Sequence, residues 1–132
     1  MKNSEYLIDT HVWLWWLFEP ERLTSRVLEI MADSQSQLTL SVASIWEMAI
    51  KEASGKLRLP SKAQEFVPRT LARYRFSTLE IQTLHALEAA ALPVHHADPF
   101  DRVLVAQAQL EKIPFLSADK KLDAYGIDRI WN

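Results

Sequence analysis

Two aspartates of this chain follow short apolar runs that are typical of buried strands. Asp9 comes directly after the run YLI at 6–8, and Asp119 comes after FLSA at 115–118. In open α/β sheets, ligands bind at the carboxyl ends of the strands, which is where both acids would lie. Either acid could instead cap the helix that is predicted to follow it, and this alternative stays open.

Two further acids fall on the apolar faces of predicted helices. Glu47 is the one charged residue in SVASIWEMAI, residues 41–50, and a helix that is apolar nearly all round is buried. Asp101 precedes Leu104 and Ala108 at helical spacing and shares their face. A buried Glu47 would need either a basic partner, such as an arginine, or a metal ion.

The segment HHADPFDR, residues 95–102, predicts the start of a helix. Asp98 would be the N-cap and Pro99 the first helical residue. An acid at Asp101, in the first turn, would also gain from the helix dipole. Capping accounts for Asp98 but does not explain why Asp101 should face the core. The role of Asp98 is therefore left open: it is either a helix cap or an outer metal ligand.

Convergence of these acids would create a metal site. Several carboxylates cannot all stay ionised in a low-dielectric pocket without cations. Oxygen ligands select hard ions, so we expect Mg²⁺ or Mn²⁺, the ions that activate water and stabilise phosphate charge in phosphodiester hydrolysis. The predicted catalytic and metal-binding residues are Asp9, Glu47, Asp101 and Asp119.

Alternating strands and helices would position these acids. Strands are predicted over residues 6–8, 37–41, 76–80, 114–116 and 129–131, and helices over 10–18, 23–34, 44–53, 63–74, 82–91, 99–112 and 119–125. Thr10 is expected to cap the first helix, and Pro68 to kink or divide the fourth. The pattern predicts an α/β fold, a short parallel sheet flanked by helices on both faces, in one domain spanning residues 1–132.

Composition excludes several classes of function. Hydrophobic residues make up 48% and charged residues 24%, which is typical of a globular protein and not of a disordered one. The absence of cysteine excludes disulfides and thiolate metal sites, and a cytoplasmic location is expected. With two glycines and no glycine-rich phosphate motif, nucleotide-binding loops have no support. Acids and other polar residues interrupt the N-terminal apolar run, so neither a signal peptide nor a membrane span is expected.

Charge is unevenly distributed along the chain. The net charge is −2, yet residues 51–75 carry seven bases and two acids, a net of +5, and the remainder carries a net of −7. This basic segment is either a solvated helix face or a phosphate-contacting ridge beside the acidic centre. The histidines His95 and His96 precede a helix cap, and we expect them to be exposed or close to a bound substrate and not metal ligands.

Four segments resemble, in the same order, the PIN-domain family, and within it the VapC-type toxins of type II toxin–antitoxin pairs. The resemblance covers essentially the whole chain. The matching segments are LIDTHVWLWWL (7–17), SVASIWEMAIKEASGKL (41–57), HHADPFDRVLVAQA (95–108) and PFLSADKKLDAYGI (114–127).

The resemblance implies a PIN fold and a Mg²⁺- or Mn²⁺-dependent endoribonuclease. The four family acids fall on Asp9, Glu47, Asp101 and Asp119, with Ser117 as the hydroxyl residue that helps to fix the first of them. It further implies an RNA substrate, a cognate antitoxin, and a homodimer that can form a higher assembly with the antitoxin. Thr10 is a second supporting candidate, and the candidate substrate contacts are Lys51, Arg58 and Arg102.

Two other functions stay open. The same fold could be a catalytically silent module that binds RNA or a protein, which a salt bridge sequestering one of the acids would favour. A phosphatase with an aspartyl nucleophile would normally have a second aspartate two residues after Asp9, where this chain has His11.

Overall fold

The computed structural model describes residues 4–132; Met1–Asn3, with which the expected domain begins, lie outside the described residues. A five-stranded, fully parallel sheet forms the centre of the fold, in the order β3-β2-β1-β4-β5. Its strands are β1 (Ser4–Ile8), β2 (Ser36–Ser41), β3 (Ser77–Leu79), β4 (Phe115–Leu116) and β5 (Arg129–Ile130).

Six α-helices and two 3-10 helices connect the strands of the described chain. The α-helices are α1 (Thr10–Phe18), α2 (Ser25–Ala32), α3 (Val42–Ala53), α4 (Ala63–Arg73), α5 (Thr83–Ala91) and α6 (Pro99–Glu111), and the 3-10 helices are Pro20–Arg22 and Lys120–Tyr125. None of the helices within residues 4–132 combines the length and apolar character needed to cross a membrane.

The chain order creates a switch point at the centre of the sheet. From β1 the chain builds outward through β2 and β3, then returns to add β4 and β5 on the other side of β1. Ile8 pairs with Leu40 on one side and with Leu116 on the other. The residues that follow these strands therefore meet at one edge of the sheet, where ligands of open α/β folds bind.

Helices cover both faces of the sheet. Successive residues of a strand point to opposite faces, and Leu7 and Ile8 of β1 accordingly enter two different cores. Ile8 packs with residues of α1 and α3, including Trp13 and Met48, whereas Leu7 packs with residues of α6, including Leu104. The predicted α/β architecture is confirmed.

Three local predictions need correction. Thr10 does not cap α1; Asp9 occupies the N-cap position and Thr10 is the first helical residue. Helix α2 starts later than predicted because Thr24 caps it by accepting a hydrogen bond from the Val27 N–H. Pro68 does not divide α4, which continues through it, and a kink there remains a prediction; two residues later, the Thr70 hydroxyl donates to the Phe66 carbonyl.

Candidate metal centre

Asp9 lies at the carboxyl end of β1 with its side chain 6% exposed. Although it holds the N-cap position of α1, its carboxylate makes no capping hydrogen bond, so the capping interpretation does not account for it. Its Oδ2 accepts a 2.7 Å hydrogen bond from Ser117 Oγ, and its Oδ1 has no hydrogen-bond partner among residues 4–132. A buried carboxylate oxygen without a partner is unfavourable and calls for a ligand.

Ser117 joins the ends of the two central strands. Its hydroxyl donates to Asp9 and accepts a 3.1 Å hydrogen bond from the Asp119 N–H. Register explains the contact, since Ile8 and Leu116 are paired and the chain positions after them are neighbours. One buried hydroxyl thus fixes the first acid relative to the backbone of the last.

Glu47 projects from α3 with 3% of the residue exposed. Lys51, one turn later on the same helix, approaches its Oε2 to 2.6 Å, while Oε1 has no partner within the described chain. The basic partner that burial requires is therefore a lysine, not an arginine, and its side chain is 40% exposed. One turn before Glu47, Ser44 accepts a 2.8 Å hydrogen bond from Thr10, which ties α3 to the start of α1.

Helix α6 brings two aspartates to the same edge. Asp98 is the N-cap, and its Oδ1 accepts from the N–H groups of Phe100 at 2.8 Å and Asp101 at 3.3 Å, so the predicted cap is confirmed. Asp101 is partly buried, with 23% of its side chain exposed. Its Oδ2 lies 3.3 Å from His96 Nε2.

The Asp119 carboxylate contacts both the local backbone and the other residues at the acidic edge of the sheet. Its Oδ1 caps the following 3-10 helix by accepting from the Lys121 N–H at 3.0 Å. Its Oδ2 is 3.1 Å from His96 Nε2. Ligand atoms of His96, Asp101 and Asp119 all lie within 4.8 Å of one another.

The pKa values of Asp9 and Asp101 are raised because these carboxyl groups are buried and lie close to other acids. Burial raises the pKa of Asp9, although the Ser117 hydrogen bond opposes this effect. Burial, followed by the charges of Asp9, Asp98, Glu47 and Asp119, raises the pKa of Asp101 to about 8. Asp101 is therefore close enough to the other four carboxylates for their negative charges to disfavour its ionised form.

The positive charge of Lys51 offsets part of this repulsion. Its pKa is raised, first by the hydrogen bond to Glu47 and further by the charges of Glu47, Asp98 and Asp101. In this structure Lys51 is the counter-ion of the acidic centre, and its assignment as a substrate contact remains a prediction.

Arg102, another candidate substrate contact, donates to backbone carbonyls in this structure. Its guanidinium donates to the carbonyls of Leu92 at 2.7 Å, Pro93 at 3.1 Å and His96 at 3.2 Å. These bonds hold the segment between α5 and α6. Arg102 thus stabilises the conformation of this segment, and its role as a substrate contact remains a prediction.

His96 is less exposed than one of the two alternatives expected, while its proximity to the substrate remains a prediction. His95 is exposed as expected, and its ring packs against that of Tyr125, but the His96 side chain is only 17% exposed and faces Asp101 and Asp119. The spacing of His96 from the N-cap residue Asp98 could have indicated this position of the ring. His96 Nδ1 accepts a 3.2 Å hydrogen bond from the Asp98 N–H, two residues later in the chain. This turn directs the ring into the acidic edge.

A cavity of about 400 Å³ opens beside Glu47. Apolar side chains of α1 and α3, including Leu14 and Met48, line it together with the bases Lys51, Lys56 and Arg58. Arg58 therefore lies where an anionic chain approaching the acids would pass, although its role as a substrate contact remains a prediction.

The residues present fit a hard divalent cation. Within residues 4–132, two buried carboxylate oxygens lack partners, Oδ1 of Asp9 and Oε1 of Glu47, and all the acidic donors are oxygens. Asp101 and Asp119 would complete the ligands, with Asp98 close enough to act from outside.

Comparisons with known proteins agree with this architecture. The VapBC2 complex of Rickettsia felis, bound to a DNA fragment of its promoter, contains a chain that matches with a TM-score of 0.72 and 12% identity over 98% of this chain and 100% of that one. DNA-bound VapBC of Salmonella typhimurium gives a TM-score of 0.71 at 12% identity over 96% and 97%. FitAcB of Neisseria gonorrhoeae gives 0.65 at 19% identity, over 96% of each chain. At such identities these likenesses establish the fold.

The sequence itself places the chain in a family. No curated protein sequence matches it. Residues 6–128, however, match the PIN domain family model. That match spans far more than half of the sequence, and the protein therefore belongs to the PIN-domain family.

Proposed function

We propose that this protein is a divalent-metal-dependent endoribonuclease, the toxin component of a type II toxin–antitoxin pair of the VapC type. The observation that carries the proposal is the pair of unpartnered carboxylate oxygens on Asp9 and Glu47, more than nine-tenths buried, at the sheet's switch point. Membership of the PIN-domain family supports it, because PIN domains are in general nucleases.

Each acid has a distinct part in the proposed centre. Asp9, Asp101, Asp119 and Glu47 would hold Mg²⁺ or Mn²⁺, with Ser117 orienting Asp9. When bound, the ion would activate water and stabilise the charge that develops on the scissile phosphate. The protonated Asp101 of the metal-free protein would give up its proton as the ion binds, since a ligating carboxylate is ionised.

The bases beside the cavity would draw the RNA backbone toward the acids. Lys56 and Arg58 lie on its wall, and Lys51 can turn outward because its side chain is 40% exposed. Positive charge along such a groove attracts phosphates without reading sequence.

The similar solved structures suggest the partners. One of the similar solved structures is a toxin–antitoxin complex from Klebsiella pneumoniae, and by analogy we propose a cognate antitoxin, a homodimeric toxin and a larger assembly of the two, acting in the cytoplasm. An interaction of α1, α3 and the cavity with the antitoxin would block the approach to Glu47.

A catalytically silent PIN-fold module that binds RNA or protein is the second candidate. The 2.6 Å pair between Lys51 and Glu47 favours it, because an acid held by a lysine is withdrawn from metal binding. Calorimetric titration with Mg²⁺ and Mn²⁺ separates the two candidates: the nuclease binds an ion, and the silent module does not.

The activity test is cleavage of a labelled single-stranded RNA with Mg²⁺, with Mn²⁺ and with EDTA. Cleavage should require an ion, and Asp9→Asn and Asp101→Asn should abolish it while circular dichroism shows an intact fold. Asp128→Asn, an exposed acid outside the centre, is the matched control and should cleave normally. Cleavage that survives EDTA or either of the first two substitutions would refute the proposed mechanism.

Asp98→Asn resolves the alternative left open for Asp98. Asparagine caps helices as well as aspartate does, so the variant should fold with unchanged stability. An unchanged affinity for Mg²⁺ would assign Asp98 to capping alone, whereas a weaker one would make it an outer ligand as well.

A further inference from the structure

We propose that His96 is a positioning residue of the acidic centre, one that holds Asp101 and Asp119 together by donating from Nε2 and does not itself bind the metal. The inference rests on the proposed metal-dependent function. It assigns a role to a side chain that neither the capping of α6 nor the four-acid site accounts for.

The hydrogen bond to Nδ1 fixes which nitrogen carries the proton. The Asp98 N–H is a backbone donor and cannot accept, so the Nδ1 atom 3.2 Å away must present its lone pair. The neutral ring therefore carries its hydrogen on Nε2. This nitrogen faces two acceptors, Asp119 Oδ2 at 3.1 Å and Asp101 Oδ2 at 3.3 Å.

The same bond argues against ligation by the ring. A nitrogen that carries a hydrogen has no lone pair for a metal. To free Nε2, the hydrogen would have to move to Nδ1, where it would meet the Asp98 N–H and break that bond. Donating to ligand carboxylates requires no such change.

A donor between the two acids has a clear effect on the centre. Asp101 and Asp119 come from different elements, α6 and the segment after β4, and they repel each other once Asp101 has given up its proton. A single Nε2–H shared between them offsets part of this repulsion and keeps their oxygens at a spacing that one ion can bridge. Hydrogen bonds to metal-ligating groups typically contribute 10- to 100-fold to metal affinity.

The backbone of His96 is held without help from its ring. Its N–H donates to the Tyr125 hydroxyl at 2.9 Å, and its carbonyl accepts from Arg102 at 3.2 Å. His96→Ala should therefore fold. His95→Ala is the matched control, since it removes an adjacent histidine that is exposed and packs on Tyr125, away from the acids.

The first test is ¹⁵N NMR of the histidine rings in the metal-free protein, repeated with Mg²⁺. His96 should be the Nε2–H tautomer in both states. A Nδ1–H tautomer in either state would overturn the inference.

The second test compares Mg²⁺ and Mn²⁺ affinities by calorimetry. His96→Ala should weaken both ions alike, by about 10- to 100-fold, and His96→Gln, whose amide can donate, should recover most of the loss. His95→Ala should bind as the wild type does. A loss confined to Mn²⁺ would make the imidazole a ligand, since nitrogen ligands favour Mn²⁺ over Mg²⁺, and would overturn the inference.

Unchanged or tighter binding in His96→Ala would overturn the inference alone and leave the proposed function standing. Failure of the wild type to bind either ion would overturn the proposed function and the inference with it.

Discussion

Replacing Asp101 by asparagine should stabilise the metal-free protein at alkaline pH. Burial and four neighbouring acids raise the pKa of Asp101 from its ordinary 3.8 to about 8. Between these values the folded protein retains a proton that the unfolded chain has lost, so the free energy of unfolding falls as the pH rises. Asparagine carries no charge and keeps an oxygen that can accept the hydrogen bond from His96.

The size of the expected stabilisation follows from the difference between the ordinary and the raised pKa of Asp101. At about 1.36 kcal/mol per pH unit, the interval between 3.8 and about 8 corresponds to at most about 6 kcal/mol. Because 23% of the Asp101 side chain is exposed and its neighbours can relax, we expect about 2 to 4 kcal/mol above pH 8. Below about pH 4 the acid is protonated in both states, and the difference from asparagine should nearly disappear.

Urea unfolding in EDTA at about pH 5 and about pH 9 measures this effect. Asp101→Asn should gain stability over the wild type as the pH rises. Asp123→Asn is a control whose difference from the wild type should not change between these two pH values: the Arg129 hydrogen bond lowers the pKa of Asp123, so the stability that Asp123 contributes is fully present above its ordinary pKa and is lost only in acid. Parallel curves for the wild type and Asp101→Asn would refute the idea that the acids are crowded.

Four further predictions concern neighbouring residues. Lys51→Met removes a cation that competes for Glu47, so the Mg²⁺ affinity measured by calorimetry should rise by about tenfold; weaker binding would contradict this. Ser117→Ala should lower the free energy of unfolding by about 1–3 kcal/mol in urea, because it leaves a buried carboxylate oxygen unpaired, and unchanged stability would count against that bond. Arg102→Met should cost about 1–3 kcal/mol while leaving the salt dependence of RNA binding unchanged, and a shallower dependence would restore it as a phosphate contact. Arg58→Gln should reduce the slope of log affinity against log salt by about 1, and an unaltered slope would remove it from the RNA path.

The sheet, its edge and the acids could be predicted because each rests on a local pattern. An apolar strand followed by an acid places Asp9, and a lone charge in an apolar helix places Glu47. Asp98 could be identified as a cap from the proline that follows it. These features depend on neighbours within a few residues, which a single sequence displays.

The contacts that the sequence did not predict are of two kinds. Some join distant parts of the chain, and one is a local contact that a single sequence cannot distinguish from another role of the same residue. Arg102 binds carbonyls up to twelve residues away, around a loop whose path the sequence does not specify. His96 meets an acid 23 residues away, which depends on how α6 and β4 are placed. Lys51 could have been found, since four residues is the ion-pair spacing of a helix, but the same positive charge also fits a phosphate contact.

Diffraction from crystals soaked in Mn²⁺, with data collected for the anomalous signal of the metal, tests the central claim most directly. An anomalous peak should appear about 2 Å from Asp9 Oδ1 and from a carboxylate oxygen of Asp101, with Glu47 released from Lys51 or bridging to the ion. An acidic edge without a peak at saturating Mn²⁺, with Lys51 still bound to Glu47, would contradict the account.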